Sequence, residues 1–383
     1  MSTLNLLQCT ACDQTYDPNL IIRLCECGKV LFAKYDIEKA KETLVKSSFG
    51  TRKTNIWRMG EIMPCSSEFQ FTLGEGWTPL LKYPGYNNAN LMVKEEGLNP
   101  TGSFKARGLC AAISRGVELG LKEFVIPTAG NAGVAMAAYC AVTKSKAHIF
   151  TPKDVPTMIL AEMMAYDADV TLVDGIISDA SKMAEQKTSQ HKWFDVSTLK
   201  EPYRAEGKKT LGLEIAEQLN WSLPDVVIYP TGGGTGIVGM MKAFEELEEL
   251  GFTNSQRPRM VSVQAEGCAP IVKAFNEGKR TAEFWEDAAT NVPGLRVPAA
   301  IGDYLILDAI YLTQGTALTI TDEKMNEGMK AVAKDLGLFI SPEAAATFMA
   351  YNQLRNEGWI DVGENVVIFS TASGFTMPHL WLE

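Results

Sequence analysis

From about residue 91 the chain alternates short, nearly uninterrupted apolar runs with longer amphipathic stretches. The runs LMV (91–93), EFVIP (123–127), AHIF (147–150), DVTLV (169–173), DVVIYP (225–230), MVSVQ (260–264) and ENVVIFS (364–370) read as strands. Each is flanked by a helical pattern. The stretch after DVVIYP shows it best, because Ile237, Met240, Met241, Phe244, Leu247 and Leu250 recur at steps of three and four. Glu245, Glu246, Glu248 and Glu249 fill the other positions and are expected to form a solvated face. Strands alternating with helices predict an α/β protein with open, twisted, mostly parallel sheets flanked by helices, in two lobes. In such sheets ligands bind at the carboxyl ends of strands, so the chemistry is sought in the loops that follow them. No internal repeat or low-complexity linker interrupts the pattern.

Composition narrows the class. An apolar content of 46% over 383 residues is enough for two packed domains. Basic residues number 36 against 46 acidic, a net charge of −10 spread along the chain, which argues against a nucleic-acid partner. No apolar run approaches the roughly 20 residues of a membrane span, and MSTLNLLQCTACD lacks the basic start and long apolar stretch of a signal peptide. The expectation is a cytoplasmic protein with no membrane partner. Cys65, Cys110, Cys140 and Cys268 lie among apolar neighbours and are expected as reduced, buried thiols. Cys9, Cys12, Cys25 and Cys27 cluster instead. Four thiolates suit a tetrahedral structural zinc site; the second half is CxC, one residue short of the usual knuckle, so a metal-free ribbon is the other reading.

Three loops sit where strands give way to helices. The first is Asn99, Pro100, Thr101, Gly102, Ser103, Phe104, Lys105, Ala106, Arg107, Gly108, which continues into LCAAISRGVELG. A helix dipole opposes an ammonium at its N-terminus and depresses the lysine pKa, as an imine-forming lysine requires. Taken alone, Lys105 also reads as a solvent-facing lysine in a first turn capped by Ser103. The second loop, Thr128, Ala129, Gly130, Asn131, Ala132, Gly133, presents backbone donors and one side-chain amide to a bound group; a plain Asn/Gly turn is the alternative. The third runs from Pro230 through Thr231 to Gly232, Gly233, Gly234, Thr235 and Gly236. Its glycines exceed what a structural turn needs and suit a phosphate cradle.

Rival chemistries fit less well. Gly234, Gly236 and Gly239 form a GxGxxG with Glu266 at the end of the next strand, which would suit a nicotinamide dinucleotide, but the acid comes later than about twenty residues on. That reading also leaves the Lys105 loop without a role. Gly207, Lys208, Lys209 and Thr210 are not a Walker A motif, there is no HExxH or GxSxG, and His148, His191 and His379 are too dispersed for a metal or triad site.

In this order, NPTGSFKARG, TAGNAG and TGGGTG resemble the motifs of pyridoxal-phosphate enzymes of the tryptophan-synthase-β fold type (fold type II), specifically the threonine synthase family. GEGWTPLL (74–81), EGLNPTG (96–102), EGKKTLGLEIAEQL (206–219) and VVIFSTASG (366–374) match that branch, so the resemblance covers nearly the whole chain. It implies a small Cys-rich ribbon over 1–40, a large cofactor-binding domain from 41–115 plus 205–383, and a small mobile domain over 116–204. It also implies a homodimer acting on a small amino-acid substrate.

The resemblance implies roles as well. Lys105 would form the imine with pyridoxal 5'-phosphate and move protons at the substrate Cα and Cβ, with Phe104 beside it. Asn131 would bond the cofactor's phenolic oxygen, Gly232, Gly233, Gly234, Thr235 and Gly236 would hold its phosphate, and Thr371 would meet its pyridine nitrogen. A hydroxyl partner there does not force the ring to be protonated, which favours elimination or replacement over transamination. The implied reaction converts O-phospho-L-homoserine and water to L-threonine and phosphate, catalysed by a carbon–oxygen lyase. Thr101, Ser103 and Thr128 are the candidate substrate contacts with Arg107 as an orienting charge, and Arg204 and Lys208 are further cations. Taken alone, Ser103 could be a cap and Arg107 part of a surface ion pair. Ala106 replaces the acid usual after the lysine, and the tail Thr371, Ala372, Ser373, Gly374 lacks the family's histidine and lysine. Threonine or serine ammonia-lyase, or a β-replacement synthase acting on phosphoserine, is therefore the alternative function.

Overall fold

A computed structural model describes residues 1–84, 86, 90–128, 130–175 and 177–381. Its strands are β1 (Leu4–Cys9), β2 (Thr15–Tyr16), β3 (Leu31–Tyr35), β4 (Leu80–Pro84), β5 (Asn90–Glu95), β6 (Glu123–Pro127), β7 (Lys146–Pro152), β8 (Asp169–Val173), β9 (Phe194–Asp195), β10 (Val226–Pro230), β11 (Arg259–Ala265), β12 (Thr316–Ile320) and β13 (Asn365–Ser370). Its α-helices are α1 (Ile37–Lys41), α2 (Lys105–Glu118), α3 (Asn131–Thr143), α4 (Thr157–Ala165), α5 (Ile177–His191), α6 (Tyr203–Gln218), α7 (Thr235–Glu249), α8 (Pro270–Asn276), α9 (Asp303–Leu312), α10 (Asp322–Leu336) and α11 (Pro342–Asn356). The chain divides into two compact units, 1–77 with 105–210 and 78–104 with 211–383.

The first unit holds a parallel sheet in the order β8-β7-β6-β9, with α3 and α5 packed on β6 and β7 and α2 packed on α3. Val125, Phe150, Val173, Ala180 and Ala184 form one of its core clusters. The antiparallel ribbon β2-β1-β3 precedes it in the chain.

The second unit holds a six-stranded sheet in the order β12-β11-β10-β13-β5-β4, parallel except for the edge strand β4. Val93, Val226, Ile228, Val261, Val366 and Ile368 pack with Ala345 and Phe348 of α11 in one core. Central parallel strands are covered on both faces, which is why their sequences are apolar without alternation. All seven strands read from the sequence are present. The edge strands β4 and β12 were missed because edge strands need no continuous apolar run: β12 is TALTI, with both threonines only half-buried. No helix among the described residues is long and apolar enough to cross a membrane.

One charge departs from the solvated-face expectation, and a second is buried without any sign of it in the sequence. Glu246 of α7 is buried and pairs with Lys242 one turn earlier, so only Glu245, Glu248 and Glu249 of that run face solvent. Lys94, on β5 beside the edge strand β4, is fully buried. Its ammonium donates to the Thr78 carbonyl at 2.7 Å, to Glu214 at 2.8 Å and to the Gln218 side-chain oxygen at 3.0 Å, which uses all three protons. Glu214→Ala removes a carboxylate from that fully buried ammonium and is expected to cost about 3–5 kcal/mol. Calorimetry of the variant should show a large fall in the unfolding midpoint; an unchanged midpoint would mean that the pair contributes nothing net.

Candidate functional site

In the second unit the loop after β5 is fixed from below by buried Glu96. Its carboxylate accepts the Thr78 hydroxyl at 2.6 Å and the Asn99 side-chain amide at 2.8 Å. Thr101 and Gly102 both take left-handed conformations, φ +63° and +66°, and turn the chain sharply. The loop is then stapled to the segment that leaves β13. Ser373 N–H donates to the Gly102 carbonyl at 2.9 Å, Ser103 forms an antiparallel bridge with Ala372, and Phe104 N–H donates to the Thr371 carbonyl at 2.9 Å. Gly97 is needed here, because a Cβ would lie 2.8 Å from the Ser373 nitrogen. The hydroxyl oxygens of Thr101 and Ser103 are buried and, among the described residues, have no hydrogen-bond partner. Ser103 is therefore not a helix cap. Buried hydroxyls are normally satisfied, so orphans of this kind point to a bound group.

The glycine loop lies beside this staple, since β10 and β13 are neighbours with Ile228 opposite Ile368. A Cβ at Gly232 would collide with the Gly294 carbonyl, at Gly234 with Ile306, and at Gly236 with the Tyr229 ring. Packing thus requires three of the four glycines, and their number alone does not report a ligand. The position does: α7 opens at Thr235 with no side-chain cap, and its first turn presents backbone N–H groups that a helix cannot satisfy internally. Tyr229, which the sequence did not single out, organises this end of the sheet. Its ring stands edge-on to Phe104 at 5.9 Å and to Phe369 at 5.1 Å.

In the first unit Lys105 is the first residue of α2 and is half-buried. Two residues on, Arg107 is fully buried and donates to the Thr210 hydroxyl at 2.9 Å, so it is not part of a surface ion pair. Gly207 lets α6 approach, because its Cβ would overlap the Arg107 carbonyl. Asn131 opens α3 after Gly130, while the Thr128 hydroxyl accepts Gly130 N–H at 3.2 Å. Ala129, in the same loop, lies outside the described residues. Lys208 is buried, with its side chain running past Gly108. Arg204 is 1% exposed; its Nη1 donates to the Val196 carbonyl at 2.6 Å, whereas Nε and Nη2 have no partner among the described residues. Burial pulls its pKa down. The neighbouring Glu201, also buried, accepts the N–H groups of Tyr203 and Arg204 and is pushed up to about 7 by burial.

The sulfur atoms of Cys9, Cys12, Cys25 and Cys27 all lie within 4.8 Å of one another. Cys65, Cys110, Cys140 and Cys268 are buried free thiols. Cys110 and Tyr139 both bond the carboxylate of Glu75, a residue of GEGWTPLL that ties the 72–77 segment to α2 and α3.

A family model described as pyridoxal-phosphate dependent enzyme matches residues 71–372. The threonine synthase of Methanocaldococcus jannaschii is 35% identical, covering 97% of this chain and 93% of the relative. That of Methanosarcina acetivorans is 32% identical, covering 98% and 93%. Among solved structures, maize serine racemase matches with a TM-score of 0.69 at 19% identity, covering 80% of this chain and 90% of that one. The L-serine ammonia-lyase of Rhizomucor miehei matches with 0.67 at 20%, covering 80% and 96%. These two establish a shared fold. The family match also removes the dinucleotide reading of the glycine loop.

Glu95 sits at the end of β5, accepting the Ser370 hydroxyl at 3.0 Å and Gly97 N–H at 2.9 Å, and burial pushes its pKa up to about 7. The folded state therefore holds a proton that the unfolded chain releases near 4.5, so this group costs stability increasingly as pH rises from about 4.5 to 7. Glu95→Gln should gain stability relative to the parent across that window and run parallel to it above. Chemical denaturation at pH 5 and pH 8 checks this; a constant difference would place the carboxyl pKa near its ordinary value.

Proposed function

We propose that this chain, which belongs to the threonine synthase family of pyridoxal-phosphate-dependent enzymes, is itself a threonine synthase that converts O-phospho-L-homoserine and water to L-threonine and phosphate. Family membership makes it an enzyme acting on a small amino acid. The leaving group is inferred from one observation: a buried guanidinium, Arg204, presents two unpartnered donors in the unit that contains Lys105. Such a fork suits a bidentate dianionic phosphate, and the hydroxyl of serine or threonine would not repay its burial.

The residues present fit the cofactor. The uncapped first turn of α7 with Gly232, Gly233, Gly234, Thr235 and Gly236 would hold its phosphate. Thr371, held against the chain at Phe104, would meet the pyridine nitrogen, and Asn131 the phenolic oxygen. When bound, pyridoxal phosphate supplies the electron sink that makes the substrate Cα proton removable. Lys105 Nζ would take that proton and then one from Cβ. Thr101 and Ser103 carry buried unpartnered hydroxyls and would bind the substrate, joined by Thr128, while Arg107 holds the start of α2 against Thr210. Phosphate leaves from Cγ, water adds its oxygen at Cβ and its remaining proton goes with the phosphate, and the two protons that Lys105 took are returned to Cγ, which becomes the methyl group, and to Cα. The same reading assigns 41–115 with 205–383 to cofactor binding and 116–204 to a small mobile domain. It further assigns a structural Zn2+ to Cys9, Cys12, Cys25 and Cys27, and a cytoplasmic homodimer to the whole.

The purified protein should show a near-visible absorbance band that is lost in Lys105→Ala, and should release phosphate and form threonine from O-phosphohomoserine. Arg204→Ala should lose about 1.5–3 kcal/mol of transition-state binding, roughly ten- to hundredfold in kcat/KM. 2-Oxobutanoate or pyruvate from threonine or serine, without phosphate release, would move the assignment to an ammonia-lyase. Threonine-free phosphate release from phosphoserine would move it to a β-replacement synthase.

A further inference from the structure

The four thiols of the N-terminal ribbon are spaced as ligands of one ion. Cys9 and Cys27 Sγ are 3.5 Å apart, Cys12 and Cys25 3.5 Å, and Cys12 and Cys27 3.6 Å. Four sulfurs at about 2.3 Å from a zinc ion have tetrahedral edges of about 3.8 Å. The surroundings are those of a thiolate site. Ala11 N–H points at Cys9 Sγ, 3.4 Å away, and the Tyr16 hydroxyl, which accepts Glu26 N–H at 3.1 Å, lies 3.2 Å from Cys25 Sγ. The short CxC half closes because Gly28, at φ +79°, folds back to donate to the Cys25 carbonyl at 2.8 Å. That turn takes up the residue the motif lacks.

Between the two halves, β2 pairs with β1, but the rest of the segment, 17–24, has little to hold it by itself: Leu20 and Ile21 are 54% and 57% exposed, and Pro18 is the one buried residue from Asp13 to Leu20. Yet it makes directed contacts with the rest of its unit. The Pro18 carbonyl accepts Arg115 Nη2 at 2.8 Å and the Tyr203 hydroxyl at 3.2 Å, and the Asn19 side chain also meets Arg115 at 3.3 Å. Arg23 pairs with Asp195 at 3.3 Å. Arg115 and Tyr203 are both buried. Arg115 lies in the last turn of α2, whose first residue is Lys105, and Tyr203 opens α6.

We infer that the ribbon is a zinc-dependent clasp on the lysine-bearing helix: the ion orders segment 13–24, and the Pro18 carbonyl then holds Arg115 of α2 and Tyr203 of α6. The inference rests on the zinc reading of the four cysteines and is independent of which substrate the enzyme takes. Metal binding that closes a loop without its own core contributes its free energy to the order of whatever the loop holds.

The test uses the full-length holoprotein, with metal analysis and hydrogen–deuterium exchange before and after chelation under reducing conditions. About one zinc per chain is expected. Chelation should raise exchange in peptides covering 13–24 and 105–118 and leave those of β10–β13 unchanged. Arg115→Ala should keep its zinc yet show the same rise over 105–118, and Tyr203→Phe, which removes only a hydroxyl, serves if that variant does not fold. Less than about a tenth of an equivalent of zinc would overturn the metal and the clasp together. Zinc present, with exchange over 105–118 indifferent to its removal, would overturn the clasp. None of these readouts uses substrate, so a failure of the threonine synthase reading would show separately in the turnover assays.

Discussion

The hydrogen bond from Phe104 N–H to the Thr371 carbonyl is the joint on which the site depends. It ties the residue before Lys105 to the first residue after the central strand β13. The Ser103–Ala372 bridge and the Ser373–Gly102 bond extend it on one side, and buried Glu96 braces it through Asn99 on the other. Positive φ at Thr101 is costly in isolation, whereas Gly102 adopts it freely. Here the staple imposes it, so the course of the loop through Phe104 is set by its bonds to the 371–373 segment and not by local preference.

Much of this could be read from the residues. Parallel strands covered on both faces announce themselves as apolar runs, and every such run proved to be a strand. What escaped were features whose signal is not periodic. The edge strand β12 is half-buried and threonine-bearing, and β4 pairs antiparallel at the margin. Glu246 looked like one more member of a solvated run, but its partner Lys242 lies one turn back and both are buried. Charge composition cannot distinguish a surface glutamate from one that follows a lysine by four residues into a core.

The candidate site divides the same way. Loops between strands and helices singled out Lys105, Asn131 and the glycines as candidates, because small residues and a misplaced cation are visible in one dimension, whereas Thr371 was singled out only by the family resemblance. Tyr229, Glu95 and Glu96 were not visible, since each acts through neighbours distant in sequence: Tyr229 through Phe104 and Phe369, Glu95 through Ser370, Glu96 through Thr78 and Asn99. Arg107 and Arg204 were found as charges, but their burial, which decides what they can do, depends on how α2 and α6 pack.

The packing of the glycine loop constrains how this protein can change over evolutionary time. Gly232, Gly234 and Gly236 are each hemmed in by a different neighbour, Gly294, Ile306 and Tyr229. A larger residue at Gly234 or Gly236 would need a smaller side chain at Ile306 or Tyr229, and one at Gly232 would need the backbone at Gly294 to move, because there the obstacle is a main-chain carbonyl. The loop therefore cannot drift one substitution at a time. The glycines of this loop are thereby locked to the packing around them as firmly as to any ligand they hold.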